Sequence, residues 1–380
     1  MTVEPLNAAG QPVKPPLTQI SAQIGSLADY ARLAREHMEA HAWAHIESGA
    51  DQGLTLAHNR QAFDRFRLCP EPLADLSGAH TRQSLLGQSL DWPLLLAPVA
   101  YQQLAHPEGE LATARAAMAM RTGVVVSTLS SCTLEAIAQA AQAAAQELGR
   151  SGPLWFQLYQ QPAREHTLQL VRRAEAAGYT ALMWTVDAHI KRSSYPLPPG
   201  VEAVNLRGMP QQRQTGDLMS EHILFGSELA RGAPTWDDLV WLRQQTRLPL
   251  IVKGLLSARA ATQAVELGAD AIVISNHGGR VLDTAVSALE VLAAIRAATP
   301  AHVPLLMDGG VRQGTDVLKA IALGASAVLL GRPQMHALAV AGMLGVAHML
   351  YLLRAELELA MAQTGCASLD QIGPGLLTTC

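Results

Sequence analysis

The chain has few cysteines and no excess of either charge. Cys69, Cys132, Cys366 and Cys380 are spread over 380 residues without a Cys-x-x-Cys pair. That spacing argues against a disulfide framework and a cysteine zinc site, and it fits a reducing cytoplasm. Lys plus Arg number 28 against 32 Asp plus Glu, a net charge of -4, so no basic field draws nucleic acid or anionic lipid and neither is expected as a partner. The opening MTVEPLNAAGQPVKPP lacks the charged start and apolar run of a secretory leader, and the expected location is inside the cell. The longest apolar stretch, Ala337 to Leu353, is short of the ~20 residues a bilayer needs. It continues through Arg354 and Glu356 with helical period, which predicts a buried amphipathic helix. No strand-like run is followed by Gly-x-Gly-x-x-Gly, so a Rossmann dinucleotide site is unsupported. His37, His41 and His45 are four residues apart but no zinc motif accompanies them, and no metal is expected.

What is present is enough apolar sequence for one large core: 49% hydrophobic against 16% charged. After about Leu90, short apolar runs alternate with alanine-rich segments of helical period. Eight such runs are read as strands: 94 to 100, 123 to 128, 154 to 159, 181 to 187, 249 to 254, 271 to 278, 304 to 310 and 327 to 332. Eight βα units predict a closed (β/α)₈ TIM barrel. Helix 133 to 149 carries its own punctuation, an N-capping Thr133 and a terminal Gly149, and another ends at Gly178. Residues 1–90 read as an N-terminal helical segment, with a stretch near 26–48 that caps one barrel end. Residues 91–366 read as the barrel, 188–233 as a long lid insert after the fourth strand, and 367–380 as a tail.

In such barrels the chemistry lies at the carboxyl ends of the strands. The polar residues found there are Ser127 and Thr128, Gln157 and Tyr159, Thr185 and Asp187, Lys253, Ser275-Asn276-His277 with Arg280, Asp308 and Arg312, and Arg332. Packing alone does not account for polar residues ending seven strands. The last two loops, DGGVRQG (308 to 314) and LGRP (330 to 333), suit a phosphate. Their glycines let backbone N–H groups approach its oxygens, Gly314 opens a helix, and Arg312 and Arg332 supply charge.

The stretch ISNHGGRVLD (274 to 283) resembles the signature of the FMN-dependent α-hydroxy acid dehydrogenases and oxidases. So, in the family's order, do APVAYQQLAHPEGELATARAA (97 to 117), WFQLY (155 to 159), RRAEAAGYTALMWTVD (172 to 187), LIVKG (250 to 254) and MDGGVRQGTDVLKAIALGA (307 to 325). The resemblance runs from about residue 25 to residue 370. It implies FMN held by Val99, Ala100, Ser127, Gln157, Thr185, Lys253 and Ser275, with its phosphate at Asp308, Gly309, Gly310, Arg312, Gly331 and Arg332. It implies His277 as the base, Asp187 as the carboxylate that orients it, Arg280 with Tyr159 as the clamp for a substrate carboxylate, and Lys253 beside the flavin. A homotetramer is implied as well.

Three positions depart from the family pattern. His45 stands where a substrate-binding tyrosine is usual. The segment after Asp187 is shorter and altered, with Arg192 as a replacement for the missing arginine. Leu129 stands where short-chain oxidases carry a bulkier side chain, which suggests a roomier pocket. Met209, Met219, Ile223, Leu224 and Phe225 of the insert are candidates to line it. The expected activity is that of an FMN-dependent (S)-2-hydroxy acid oxidase, with a small 2-hydroxy acid and O₂ as partners; Ala100 favours oxygen as acceptor. The alternatives are a dehydrogenase of the same family using a quinone or protein acceptor, an FMN-dependent isopentenyl diphosphate isomerase, which has no need of His277, Arg280 and Asp187, and a non-catalytic flavin protein.

Overall fold

Eight parallel strands close into a barrel, each paired to the next in chain order: β1 (Leu94–Leu96), β2 (Gly123–Ser127), β3 (Leu154–Leu158), β4 (Leu182–Thr185), β5 (Leu250–Leu255), β6 (Ala271–Ile274), β7 (Leu305–Asp308) and β8 (Ala327–Leu330). β8 returns to β1, with Val328 opposite Leu94 and Leu330 opposite Leu96. The computed structural model describes residues 5–190, 197–198, 200–210 and 224–379. The strands are apolar except near their carboxyl ends because both of their faces are covered. Leu95, Val125, Trp155, Met183, Ile251, Val273, Leu306 and Leu329 point inward and fill the barrel. Their neighbours Leu96, Val126, Phe156, Trp184, Val252, Ile274, Met307 and Leu330 belong to the second cluster, against the helices. The strands end two to four residues earlier than several of the apolar runs suggest, because the residues that follow turn into the loops of the barrel mouth.

Three helices precede the barrel, α1 (Leu27–His37), α2 (Ala40–Glu47) and α3 (Leu54–Asp64). Around it run α4 (Gly109–Ala119), α5 (Leu134–Leu148), α6 (Arg164–Ala176), the single turn α7 (Glu228–Arg231), α8 (Trp236–Gln245), α9 (Ala258–Glu266), α10 (Ala288–Ala298), α11 (Gly314–Ala322) and α12 (Arg332–Gln363). Their ends follow local chemistry. The Thr133 hydroxyl accepts from Ala136 N at the start of α5, and Gly149 ends that helix at φ 59. Ser287 and Glu290 form a capping box on α10. Each cap stabilises its helix by about 1 kcal/mol.

The helical stretch expected near 26–48 is two helices, because Met38 and Glu39 are extended between them. His37 therefore ends α1 while His41 and His45 lie on α2, and the three imidazoles share no helix face. The residues before the barrel reach both of its ends. A hairpin, Gln83–Leu85 with Gln88–Leu90, puts Leu85 and Leu90 into the inner cluster at one end. The α2–α3 connection lies over the other end, at the carboxyl termini of the strands. The long apolar helix is α12, kinked at Ala341 and Gly342. By length and composition it could cross a membrane, but 67% of its apolar window is buried within the protein, as a core helix is.

Candidate active site

The carboxyl ends of the strands surround a cavity of about 400 Å³. Of the residues singled out in the sequence, His45, Val99, Ala100, Ser127, Leu129, Tyr159, Lys253, His277, Arg280, Asp308, Gly309, Gly310, Arg312, Gly331 and Arg332 line it. Asp187, Gln157, Thr185 and Ser275 lie just behind that wall. Arg192, Met219 and Ile223 lie outside the described residues. Leu197 is the insert residue on the cavity wall, whereas Met209 is packed at 9% exposure and Phe225 is 88% exposed, so neither of these two lines it.

The loop after β6 shapes the reactive corner. His277, Gly278 and Gly279 have φ of 58, 62 and 77, three consecutive left-handed residues. For His277 this conformation costs about 1–3 kcal/mol, and it persists because its surroundings over-determine it. Ser275 Oγ accepts from His277 N at 2.9 Å, and Asn276 Oδ1 accepts from Gly279 N at 3.1 Å. Asn276 is also in a reciprocal amide pair with Asn59 of α3, with distances of 2.9 and 2.7 Å. The result aims the imidazole at two partners. Its Nδ1 lies 3.0 Å from Asp187 Oδ1, and its Nε2 lies 3.4 Å from the Tyr159 hydroxyl. Gly254 makes room for the carboxylate: a Cβ there would lie 2.6 Å from Asp187 Cγ, and its φ of 111 suits glycine alone. Burial alone would raise the Asp187 carboxyl, but His277 and Lys253 hold it below the usual range, so it is ionised. Burial, then the charge on Asp187, pushes the Tyr159 phenol far up, so it stays protonated.

A second cluster joins Lys253, Ser275 and Asp308. Lys253 Nζ donates to Ser275 Oγ at 2.8 Å and lies 3.1 Å from Asp308 Oδ2, while Ser275 Oγ donates to Asp308 Oδ1 at 2.6 Å. Burial would lower the lysine, but Asp308 and Asp187 outweigh it and keep the ammonium charged. Arg280 donates through Nη1 to the carbonyls of His45, Ile46 and Ser48. Its remaining N–H groups make no hydrogen bond among the described residues, and the side chain lines the cavity. Arg332 spends its guanidinium on Ile46 O, Gly278 O and Ser48 O, tying the α2–α3 connection to the His277 loop. Among the described residues the Arg312 side chain donates only to its own neighbour's carbonyl, Val311 O. Burial, together with the charge of Arg332 on Arg312 and of Arg280 on Arg332, lowers both guanidiniums to about 10.

These features fit a flavin mononucleotide. Two half-buried cations that repel each other would be relieved by a phosphate dianion between them. Gly310 lets the β7 loop pass closely, since a Cβ there would lie 2.0 Å from Asn59 O, at φ 82. Two buried donors, Gln157 Nε2 and Thr185 Oγ1, have no partner among the described residues. They lie on strands next to Ser127 and Lys253, opposite them in register. One part of the phosphate reading is corrected. The first N–H groups around α11 are already taken, Gly314 N by Glu356 and those of Arg312 and Gln313 by Asp316. The start of that helix therefore has no free donors at these positions.

Three residues escaped the sequence reading. Tyr101 lines the cavity in a left-handed conformation, φ 54 and ψ 49, at a cost of about 1–3 kcal/mol. Looking for a polar residue after the first strand, as after the other seven, finds it. Glu47, held ionised against burial by His336 and Arg332, accepts from His336 Nε2 at 2.8 Å and sits 4.0 Å from Arg332 Nε. His336 lies 289 residues from Glu47 in the chain, so no local pattern reveals the pair.

Residues 34–379 match the family model of the FMN-dependent dehydrogenases. An L-lactate oxidase of Alicycliphilus denitrificans is 48% identical over 371 residues, 96% of this chain and 99% of that protein. A peroxisomal (S)-2-hydroxyacid oxidase of Arabidopsis thaliana is 38% identical, covering 92% of this chain and 95% of its own length. A crystal structure of mandelate oxidase with (S)-2-phenylpropionate superposes with a TM-score of 0.81 at 39% identity, over 94% of this chain and 98% of that one.

Proposed function

The chain belongs to the FMN-dependent dehydrogenase family, and from that premise we propose how its own residues carry the reaction. The enzyme is an FMN-dependent oxidase of 2-hydroxy acids. When bound, FMN would supply the acceptor for the substrate's two electrons, with O₂ as the final oxidant and H₂O₂ as its product. The single observation that carries the residue assignment is the line Asp187–His277–Tyr159 on the same cavity as Arg280.

His277 Nε2 takes the hydroxyl proton of the substrate as the α-hydrogen leaves with its electron pair, and the product is the 2-oxo acid. Asp187, ionised and 3.0 Å from Nδ1, favours the imidazolium that results. Arg280 and the protonated Tyr159 hold the substrate carboxylate, which fixes the α-carbon relative to His277. Lys253 sets a positive charge on the cavity wall, where it would stabilise negative charge on a bound flavin. Arg312 is the direct phosphate ligand, with Gly309, Gly310 and Gly331 as its cradle; Arg332 adds charge and holds the two loops together. The same premise carries a homotetramer, and the pattern of widely spaced cysteines carries a cytoplasmic location. Exposed Leu344, Tyr351 and Leu359 along α12 support the first.

Purified protein supplied with a reactive 2-hydroxy acid is expected to consume O₂ and release H₂O₂ one for one, read with an oxygen electrode and a peroxidase assay. Flavin that is reduced by the acid but is not reoxidised by air would assign electrons to another acceptor.

Leu129 sets substrate size in this reading. Medium-chain and aromatic 2-hydroxy acids are expected to have higher kcat/KM than glycolate, at ~0.8 kcal/mol for each buried methylene that finds room. Leu129→Trp overfills that side and should lower kcat/KM for the larger acids about tenfold or more while leaving glycolate within a few-fold. Steady-state kinetics on a chain-length series measures it, and an unchanged profile removes Leu129 from the specificity assignment.

A further inference from the structure

Tyr101 occupies a costly backbone conformation in the wall of the cavity, and that conformation aims its side chain. Its N–H donates to Leu129 O at 3.0 Å and its carbonyl accepts from Leu104 N at 2.9 Å, so the left-handed geometry is held from both sides. An aromatic residue needed only for packing has no reason to leave the ordinary regions of φ and ψ. Here the half-buried ring stands edge-on to His45, with centroids 6.5 Å apart. It is also near enough to Tyr159 for charge on one phenol to raise the other. The Tyr101 hydroxyl makes no hydrogen bond among the described residues. Burial raises it above the ordinary phenol range, so at neutral pH it is a donor.

We propose that Tyr101 is a substrate-binding residue whose phenol O–H donates to a carboxylate oxygen of the 2-hydroxy acid. The inference rests on the reading that Arg280 and Tyr159 hold that carboxylate. A carboxylate has about four acceptor sites, and Arg280 has committed Nη1 to three backbone carbonyls. A further phenol therefore adds a donor the site can use. It enters from the loop after β1, beside His45, where the chain departs from the tyrosine its family usually carries. The position of the donor has moved while the chemistry offered to the carboxylate is kept.

Tyr101→Phe removes one oxygen and keeps the ring. The holoenzyme is expected to stay yellow, with oxalate binding, followed through flavin absorbance, weakened about ten- to hundredfold. KM for the 2-hydroxy acid should rise by a similar factor, with the saturated rate of anaerobic flavin reduction within a few-fold of wild type. Tyr101→Leu, which loses the same hydroxyl, should bind oxalate no more than a few-fold worse than the phenylalanine variant. Wild-type oxalate affinity in Tyr101→Phe overturns the proposal, as does a loss seen only in Tyr101→Leu, which would assign the effect to the ring. Arg280→Met is measured alongside. If it loses oxalate while Tyr101→Phe does not, the inference fails alone; if it also binds oxalate normally, the carboxylate-clamp reading fails with it.

Discussion

His277→Gln keeps its flavin and its fold, binds a 2-oxo acid at near-normal affinity, and loses about 10²–10⁴-fold or more in the rate at which a 2-hydroxy acid reduces the flavin. Glutamine has a similar reach and can still hydrogen-bond, but it has no basic nitrogen. In the native site Nδ1 is occupied by Asp187 at 3.0 Å and Nε2 faces the cavity beside the Tyr159 hydroxyl at 3.4 Å. Only Nε2 is therefore directed at a substrate. The left-handed φ of 58 at residue 277 is tolerated by glutamine at some cost in stability, which a thermal melt of the holoenzyme reads separately. Anaerobic stopped-flow isolates flavin reduction from reoxidation. A mutant whose reduction rate stays within a few-fold of wild type would show that His277 is not the base.

The second large effect is expected at the phosphate. Arg312→Ala with Arg332→Ala should yield colourless protein as purified, with FMN affinity lowered about a hundredfold or more, from roughly 1.5–3 kcal/mol per charge-assisted contact. The two arginines do not contribute in the same way. Among the described residues the half-buried Arg312 side chain has Val311 O alone as acceptor, so its charge awaits a ligand. Arg332 is already bonded to three carbonyls of two loops. Arg312→Ala alone should therefore weaken FMN with little change in the melting temperature of the apoprotein, whereas Arg332→Ala should lower both. Fluorescence titration with FMN and apoprotein melting curves separate the two, and full flavin occupancy in the double variant would remove the phosphate from this corner.

Much of this site could be read from local chemistry. Polar residues at the ends of strands that are otherwise apolar stand out because parallel barrel strands are buried on both faces. Ser127, Gln157, Thr185, Lys253, His277, Arg280 and Asp308 stand out that way, while the roles of His277 and Arg280 come with the family resemblance. Tyr101 is also marked by its place after the first strand, but its inward turn is a matter of the left-handed backbone that the fold imposes there. The roles of Arg280 and Arg332 were read as contacts to ligand, yet both also bind the carbonyls of residues 46 and 48, which are more than 230 residues away in sequence.

The amino-acid sequence by itself determined the eight βα units, the helix caps at Thr133 and Gly149, and the chemical types gathered at the barrel mouth. These depend on periodicity of two or 3.6 residues and on side chains acting within a few positions of themselves. Only the tertiary structure decided which donors remain for a ligand. Asp316 and Glu356 occupy the N–H groups around the start of α11, the 45–48 carbonyls occupy Arg332 and one nitrogen of Arg280, and Gly254 lets Asp187 reach His277. Each of these is a competition between partners far apart in the chain, and its outcome depends on distances that exist only once the barrel has closed.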